Sequence, residues 1–266
     1  MLAPDDRSLF APLAGGADDS GLVARLAGAA VDRGLFVRLA GAAVVGAAVA
    51  HELPALAFHS RGLRERLGVE TTTGQRGRGC ALTFDDGPHP QGTPAVLDAL
   101  AAAGAHATFF LVGEQVRRNP GLAAEIVAAG HGIGLHCDRH RNLLRLGPRQ
   151  TLLDIRRAQA VVEEATGRAV GLYRPPYGIL NATALACAHR SGWRTLLWSH
   201  WGRDWRARAT PESIAAEVTS GVRPGAVLLL HDADDYSAPD SWRRTAAALP
   251  RVLDTLAAQG LPTVAP

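Results

Sequence analysis

A chain of 266 residues is long enough to bury one core of α/β-barrel size, or to divide into two domains at about 150 residues each. With 47% hydrophobic and 20% charged residues its composition is that of a globular protein, which excludes a disordered or low-complexity chain. All 28 basic residues are arginine and are spread along the chain, so the net charge of +3 does not mark a nucleic-acid partner.

In chain order, residues 22–30 carry apolar side chains at helical spacing, and residues 39–50 form an uncharged run of 12. That run is shorter than the roughly 20 residues a helix needs to cross a bilayer. Its length suits the apolar part of an export signal, and it follows Arg33 and Arg38 and ends in Ala48-Val49-Ala50. The segment before it is too long for an ordinary charged leader, so a packed N-terminal helix stands beside an export signal or membrane arm. Membrane or cell-wall association, and a place in the cell envelope or the cytoplasm, stay open with it. Residues 68–79, rich in threonine and glycine, read as a linker. The predicted organisation is an arm and linker over residues 1–78 and a catalytic domain over 79–266. The three cysteines, Cys80, Cys137 and Cys187, are odd in number and far apart, which excludes a disulfide framework and a CxxC zinc ribbon.

From residue 80 the pattern is regular. Apolar runs predict strands over 81–84, 107–112, 132–136, 172–174, 195–198 and 226–231. Between and after them, helices are predicted over 93–103, 114–129, 151–165, 182–191, 212–220 and 242–258. One strand and one helix per repeat imply parallel strands, in an open doubly wound sheet or a β/α barrel. The unusual polar residues cluster just after the strands, where a barrel gathers them on one face. A dinucleotide-binding sheet needs a glycine-rich turn after its first strand, and Asp85-Asp86-Gly87-Pro88 is not one, so the barrel is favoured.

Adjacent carboxylates at Asp85 and Asp86 repel each other and point apart, which suits two tasks near a cation, although an Asx turn closed by Gly-Pro explains them as well. His136 and His140, four apart, can reach one point from a helical turn. With one aspartate they make an Asp-His-His set that leaves a coordination position for water, the pattern of a catalytic rather than a structural metal site. Cys137, between them, is read as core. Singly, Arg174 reads as well as a surface salt bridge and His231 as a satisfied histidine at a strand end. Together, Arg174 to Tyr177, Asp204 with Trp205, and Leu229 with His231 supply what amide or ester hydrolysis requires: a base, an acid, partners that fix their protonation, and an oxyanion donor.

These five motifs, in this order over residues 80–266, resemble the polysaccharide deacetylase family, carbohydrate esterases that share a homology domain with the rhizobial chitooligosaccharide deacetylases. The resemblance implies a distorted parallel β/α barrel with fewer than eight strands. It implies Asp85 as catalytic base, Asp86, His136 and His140 as metal ligands, and Arg174 as the arginine that orients the base. It gives the Tyr177 amide the oxyanion, Asp204 the tuning of the acid, His231 the acid itself, and Trp205 with Leu229 the walls of the acetyl pocket. Zinc is the expected ion, with cobalt or nickel as alternatives, and the implied partner is an acetylated carbohydrate, chitin-like or peptidoglycan-like. An O-acetyl ester or a small glycosylated metabolite is the alternative substrate. A non-catalytic sugar-binding module is disfavoured because every matched position is kept. The chain departs from the family at Cys137, usually serine or threonine, and at Trp201, usually aspartate, inside an atypical loop over 198–205.

Overall fold

In a parallel sheet both faces are covered, so its strands read as continuous apolar runs. The computed structural model, which describes residues 45–47, 49–74 and 79–266, gathers such runs into one sheet. Its strands are β1 (Val69–Glu70), β2 (Ala81–Asp85), β3 (Thr108–Val112), β4 (Gly132–Cys137), β5 (Leu172–Tyr173), β6 (Arg194–Leu196), β7 (His200–Trp201) and β8 (Val227–His231). All pair in parallel, in the order β1-β6-β5-β4-β3-β2-β8-β7. β1 and β7 are the two edges, so the sheet is an open, incomplete barrel. The expected parallel, distorted barrel is therefore found, but with eight strands rather than fewer. The difference comes from β1 and β7, two-residue strands in stretches read as linker and loop, too short to show any periodicity.

Around the sheet lie α1 (Arg61–Leu67), α2 (Gly92–Ala102), α3 (Gly113–Arg118), α4 (Pro120–Ala128), α5 (Pro148–Thr166), α6 (Ala182–Arg190), α7 (Pro211–Thr219) and α8 (Ser241–Ala258). The single helix predicted over 114–129 is two, because Pro120 has no N–H to continue the first and instead begins the second. Strand alternation divides the core. Leu82 and Phe84 of β2, Phe109 and Leu111 of β3 and Leu228 and Leu230 of β8 face the helices. Each such buried side chain contributes about 1.5–3 kcal/mol. Ala81, Phe110, Leu196 and Val227 form a second, much smaller cluster on the other face, inside the curl. The inside is thinly filled by apolar residues, which leaves room for polar groups at the strand C-terminal ends.

Val49–Pro266 form one compact unit; of the other, Met1–Ala48, only residues 45–47 are described. The helical pattern over 22–30 and most of the run 39–50 lie outside the described residues. Among the described residues, no helix is long and apolar enough to cross a membrane.

Candidate active site

Asp85 ends β2 with its carboxylate inside the curl, and Arg174 Nη1 donates to its Oδ1 at 2.7 Å. Arg174 is completely buried, which is tolerable only if its donors are satisfied. Nη1 also reaches Thr83 Oγ1 at 2.9 Å, Nε donates to the Leu196 carbonyl at 2.8 Å, and Nη2 to that of Leu197 at 3.1 Å. The Phe110 ring lies 3.9 Å beneath the guanidinium carbon. Burial lowers the Arg174 pKa, and Asp85 offsets that only in part. Asp85 Oδ1 is thus committed to Arg174, while Oδ2 faces His136 Nε2 at 4.0 Å.

Asp86 points elsewhere because its backbone takes φ +81°, a left-handed value uncommon for a residue with a side chain. Its Oδ1 lies 3.4 Å from both His136 Nε2 and His140 Nε2. Burial alone would push the Asp86 carboxyl up; the His136 ring and the charges of His231 and His140 outweigh it and hold the group at about 2. The pairing arises differently from expectation: His136 sits near the end of β4 and His140 in the loop after it, with no helical turn between. That loop is pinned by the Asp138 amide on Asp154 Oδ2 (2.8 Å) and by Arg117 on Asp138 Oδ1 (2.6 Å).

These three side chains fit one metal ion. One ligand atom from each lies within 4.8 Å of the others, and Asp86 Oδ1 is buried with no hydrogen-bond partner. The Nδ1–H of His136 donates to the Arg174 carbonyl at 2.7 Å, which leaves the Nε2 lone pair for a cation. Burial lowers the His140 pKa to about 4, leaving a neutral ring at physiological pH. Its Nδ1 has no hydrogen-bond partner; the ring is held by Tyr236, stacked at 4.4 Å and 15°, and by a T-shaped contact with Tyr177 at 4.6 Å. Tyr236 is fixed in turn by donating to Glu114 Oε1 at 2.6 Å.

His231, at the end of β8, faces Asp85 across the β2–β8 register. Asp204, fully buried, accepts from His231 Nδ1 at 2.9 Å, from the His231 amide at 2.7 Å and from Thr245 Oγ1 at 2.8 Å. Burial would lower the His231 pKa, but Asp204, then Asp86 and Asp85, raise it to about 10. The next residue, Asp232, turns away to accept from Thr93 Oγ1, and burial pushes its carboxyl up to about 7.

A cavity of about 250 Å³ joins these groups, lined by Asp85, Asp86, His136, His140 and His231 together with Tyr177, Trp205 and Leu229. Of the sequence-predicted site residues, only Arg174 and Asp204 lie behind its wall, each bonded to a residue that lines it. Tyr177 is in the left-handed region at φ +60° with a half-exposed ring. Trp198, Trp201, Tyr236 and Ser237 also line the cavity and were not read as site residues. Cys137 is buried as expected, its thiol pushed well above its ordinary pKa by burial and so unreactive. A second group of ligand type, His89 with Asp234 and Asp235, ties loops together. His89 Nδ1 accepts from the amides of Gln91 (3.3 Å) and Gly92 (2.9 Å), which places the proton on Nε2, 3.4 Å from Asp234 Oδ1.

The family model described as "Polysaccharide deacetylase" matches residues 73–196. The chain is 37% identical to a peptidoglycan-N-acetylglucosamine deacetylase of Bacillus cereus, covering 68% of this chain and 82% of that protein. It is 36% identical to a chitooligosaccharide deacetylase of a Bradyrhizobium species, covering 69% and 86%. Among solved structures, a family 4 carbohydrate esterase from Streptomyces lividans, in complex with acetate, superposes with a TM-score of 0.63 at 34% identity, covering 70% of this chain and 92% of that one. With identities at this level over most of the relatives' lengths, the chain belongs to the polysaccharide deacetylase family.

Proposed function

We propose that the protein is a metal-dependent hydrolase that removes N-acetyl groups from an acetylated amino-sugar polymer and releases acetate. The relatives are named for peptidoglycan and for chitooligosaccharides, which supports that substrate class. The observation that carries the reading is the order of groups along one cavity: a carboxylate held by arginine, a set of three ligand-type side chains, and a histidine held by a carboxylate. A divalent ion on Asp86, His136 and His140, zinc in this reading and cobalt or nickel as substitutes, would act as a Lewis acid and lower the pKa of water from about 15.7 towards about 7.

Asp85 takes the proton of the attacking water. Arg174 holds that carboxylate by one oxygen and leaves the other toward the ligand set. The Tyr177 amide donates to the oxyanion, a contact whose removal costs about 3–4 kcal/mol in comparable sites. His231, with Nδ1–H committed to Asp204, gives its Nε2 proton to the departing nitrogen. Trp205 and Leu229 receive the acetyl methyl. The test is acetate release from N-acetylglucosamine oligomers, peptidoglycan and acetylated xylan, with chelator and with zinc restored. Release from the amino sugars that stops with chelator is expected; release from xylan alone would replace the reading with an O-acetyl esterase.

A further inference from the structure

Parallel register places Thr83 of β2, Leu229 of β8 and Trp201 of β7 side by side across the sheet. Side chains at paired positions share a face, so where Leu229 and Thr83 point, Trp201 points too. Leu229 lines the cavity, and Thr83 meets Arg174 inside the curl. The next residue confirms the alternation: a Cβ on Gly202 would lie 2.5 Å from Leu230 Cδ2 and 3.0 Å from Ile214 Cγ2, both in the helix-facing core. Asp85 and His231 pair two residues further along the same strands. Trp201 therefore stands one layer beneath the base and the acid, at the floor of the cavity rather than at its rim.

The Trp201 ring lies 5.9 Å from Trp198 and 5.7 Å from Trp205, and Trp205 and His231 meet edge to face at 5.6 Å. Nothing in this layer can exchange a proton at neutral pH, so its contribution to the reaction is shape. We propose that Trp201 is a specificity-determining residue: it closes the floor of the acyl recess, so that an acetyl group fits and longer acyl chains are excluded. The proposal rests on the acyl-hydrolase reading above.

One methylene in an apolar pocket changes kcat/KM by about 10–200-fold, so a floor that stops short of a butyryl chain has a measurable signature. The experiment compares the wild type, Trp201→Phe and Trp201→Ala on glucosamine oligomers N-acylated with acetyl, propionyl or butyryl groups, and on the matching 4-nitrophenyl esters. The quantity read is the acetyl-to-butyryl ratio of kcat/KM, which does not depend on the fraction of each preparation that is folded. The wild type should prefer acetyl by at least about tenfold, Trp201→Ala should reduce that preference by about tenfold, and Trp201→Phe should fall between. A wild type without the preference, or a ratio unmoved in Trp201→Ala, would overturn the proposal. A wild type inactive on every N-acyl sugar but showing the ratio shift on esters would leave Trp201 its role and remove the N-deacetylase reading. No turnover on either series would sink both.

Discussion

Asp85 and Asp86 are sequence neighbours with different surroundings: one is bonded to Arg174, the other lies between two imidazoles. Asp85→Asn should therefore keep the ion and lose about 10²–10⁴-fold in kcat, whereas Asp86→Ala should lose the ion, as read by metal content after gel filtration. An Asp85→Asn enzyme with most of its kcat would show that the base is elsewhere. The acid gives a pH prediction. In the proposed mechanism His231 carries the proton that is given to the leaving group, so activity should fall as pH rises through its pKa, which the Asp204 charge raises. Asp204→Asn should move the alkaline limb of kcat to lower pH, and His231→Ala should harm an N-acetyl sugar far more than an aryl acetate, whose leaving group needs little protonation. An unmoved limb or equal losses would remove these roles. Asp85, His136, Arg174 and His231 were legible because charged groups at the ends of apolar runs are conspicuous. Thr245 and Tyr236 were not: Thr245 reaches Asp204 from a helix 41 positions away, and Tyr236 meets His140 only through the folding of a loop.

At the scale of elements, close packing decides which small residues matter. Gly92 begins α2, and a Cβ there would stand 2.0 Å from the Asp232 carbonyl oxygen and 2.9 Å from Trp242 Cβ. Gly121 in α4 has nothing within 4 Å. Gly92→Ala should destabilise the protein by about 1–3 kcal/mol, since backbone must move, and should lower activity through the His231-Asp232 segment. Gly121→Ala should leave stability unchanged or raise it by up to about 1 kcal/mol. Thermal unfolding of the two variants checks both signs. The long strands and α5 were readable from periodicity, but β7 was not: two residues carry no period, and Gly202 reads as a loop residue until Ile214 and Leu230 are seen against it.

For the molecule as a whole, the open barrel ends at β1, stitched to β6 through Val69 and Glu70. Glu70 also receives Arg194 at 2.5 and 3.0 Å. A chain beginning at residue 79 lacks that strand and exposes the β6 edge, whereas a chain beginning at Val49 keeps the whole unit. The shorter chain should lose about 2 kcal/mol, or about 4–8 °C in Tm, relative to the longer, and should aggregate more readily; equal melting would make β1 dispensable. The linker reading of residues 68–79 missed this, because composition says nothing about pairing with a strand more than a hundred residues away.

Arg174 joins these scales, and it bears on how such a protein would decay. Replacing Asp85 with an apolar residue leaves a guanidinium without its charge partner in the core, at a cost of about 3–5 kcal/mol out of a typical 5–15. Selection for folding alone would then preserve Asp85 after selection for turnover had lapsed. His140 has no such tether: its Nδ1 bonds to nothing, and its ring is held by stacking that another flat side chain could imitate. In a lineage sliding toward inactivity, His140 is the position expected to drift early and Asp85 late, so a surviving aspartate at that site testifies first to the scaffold.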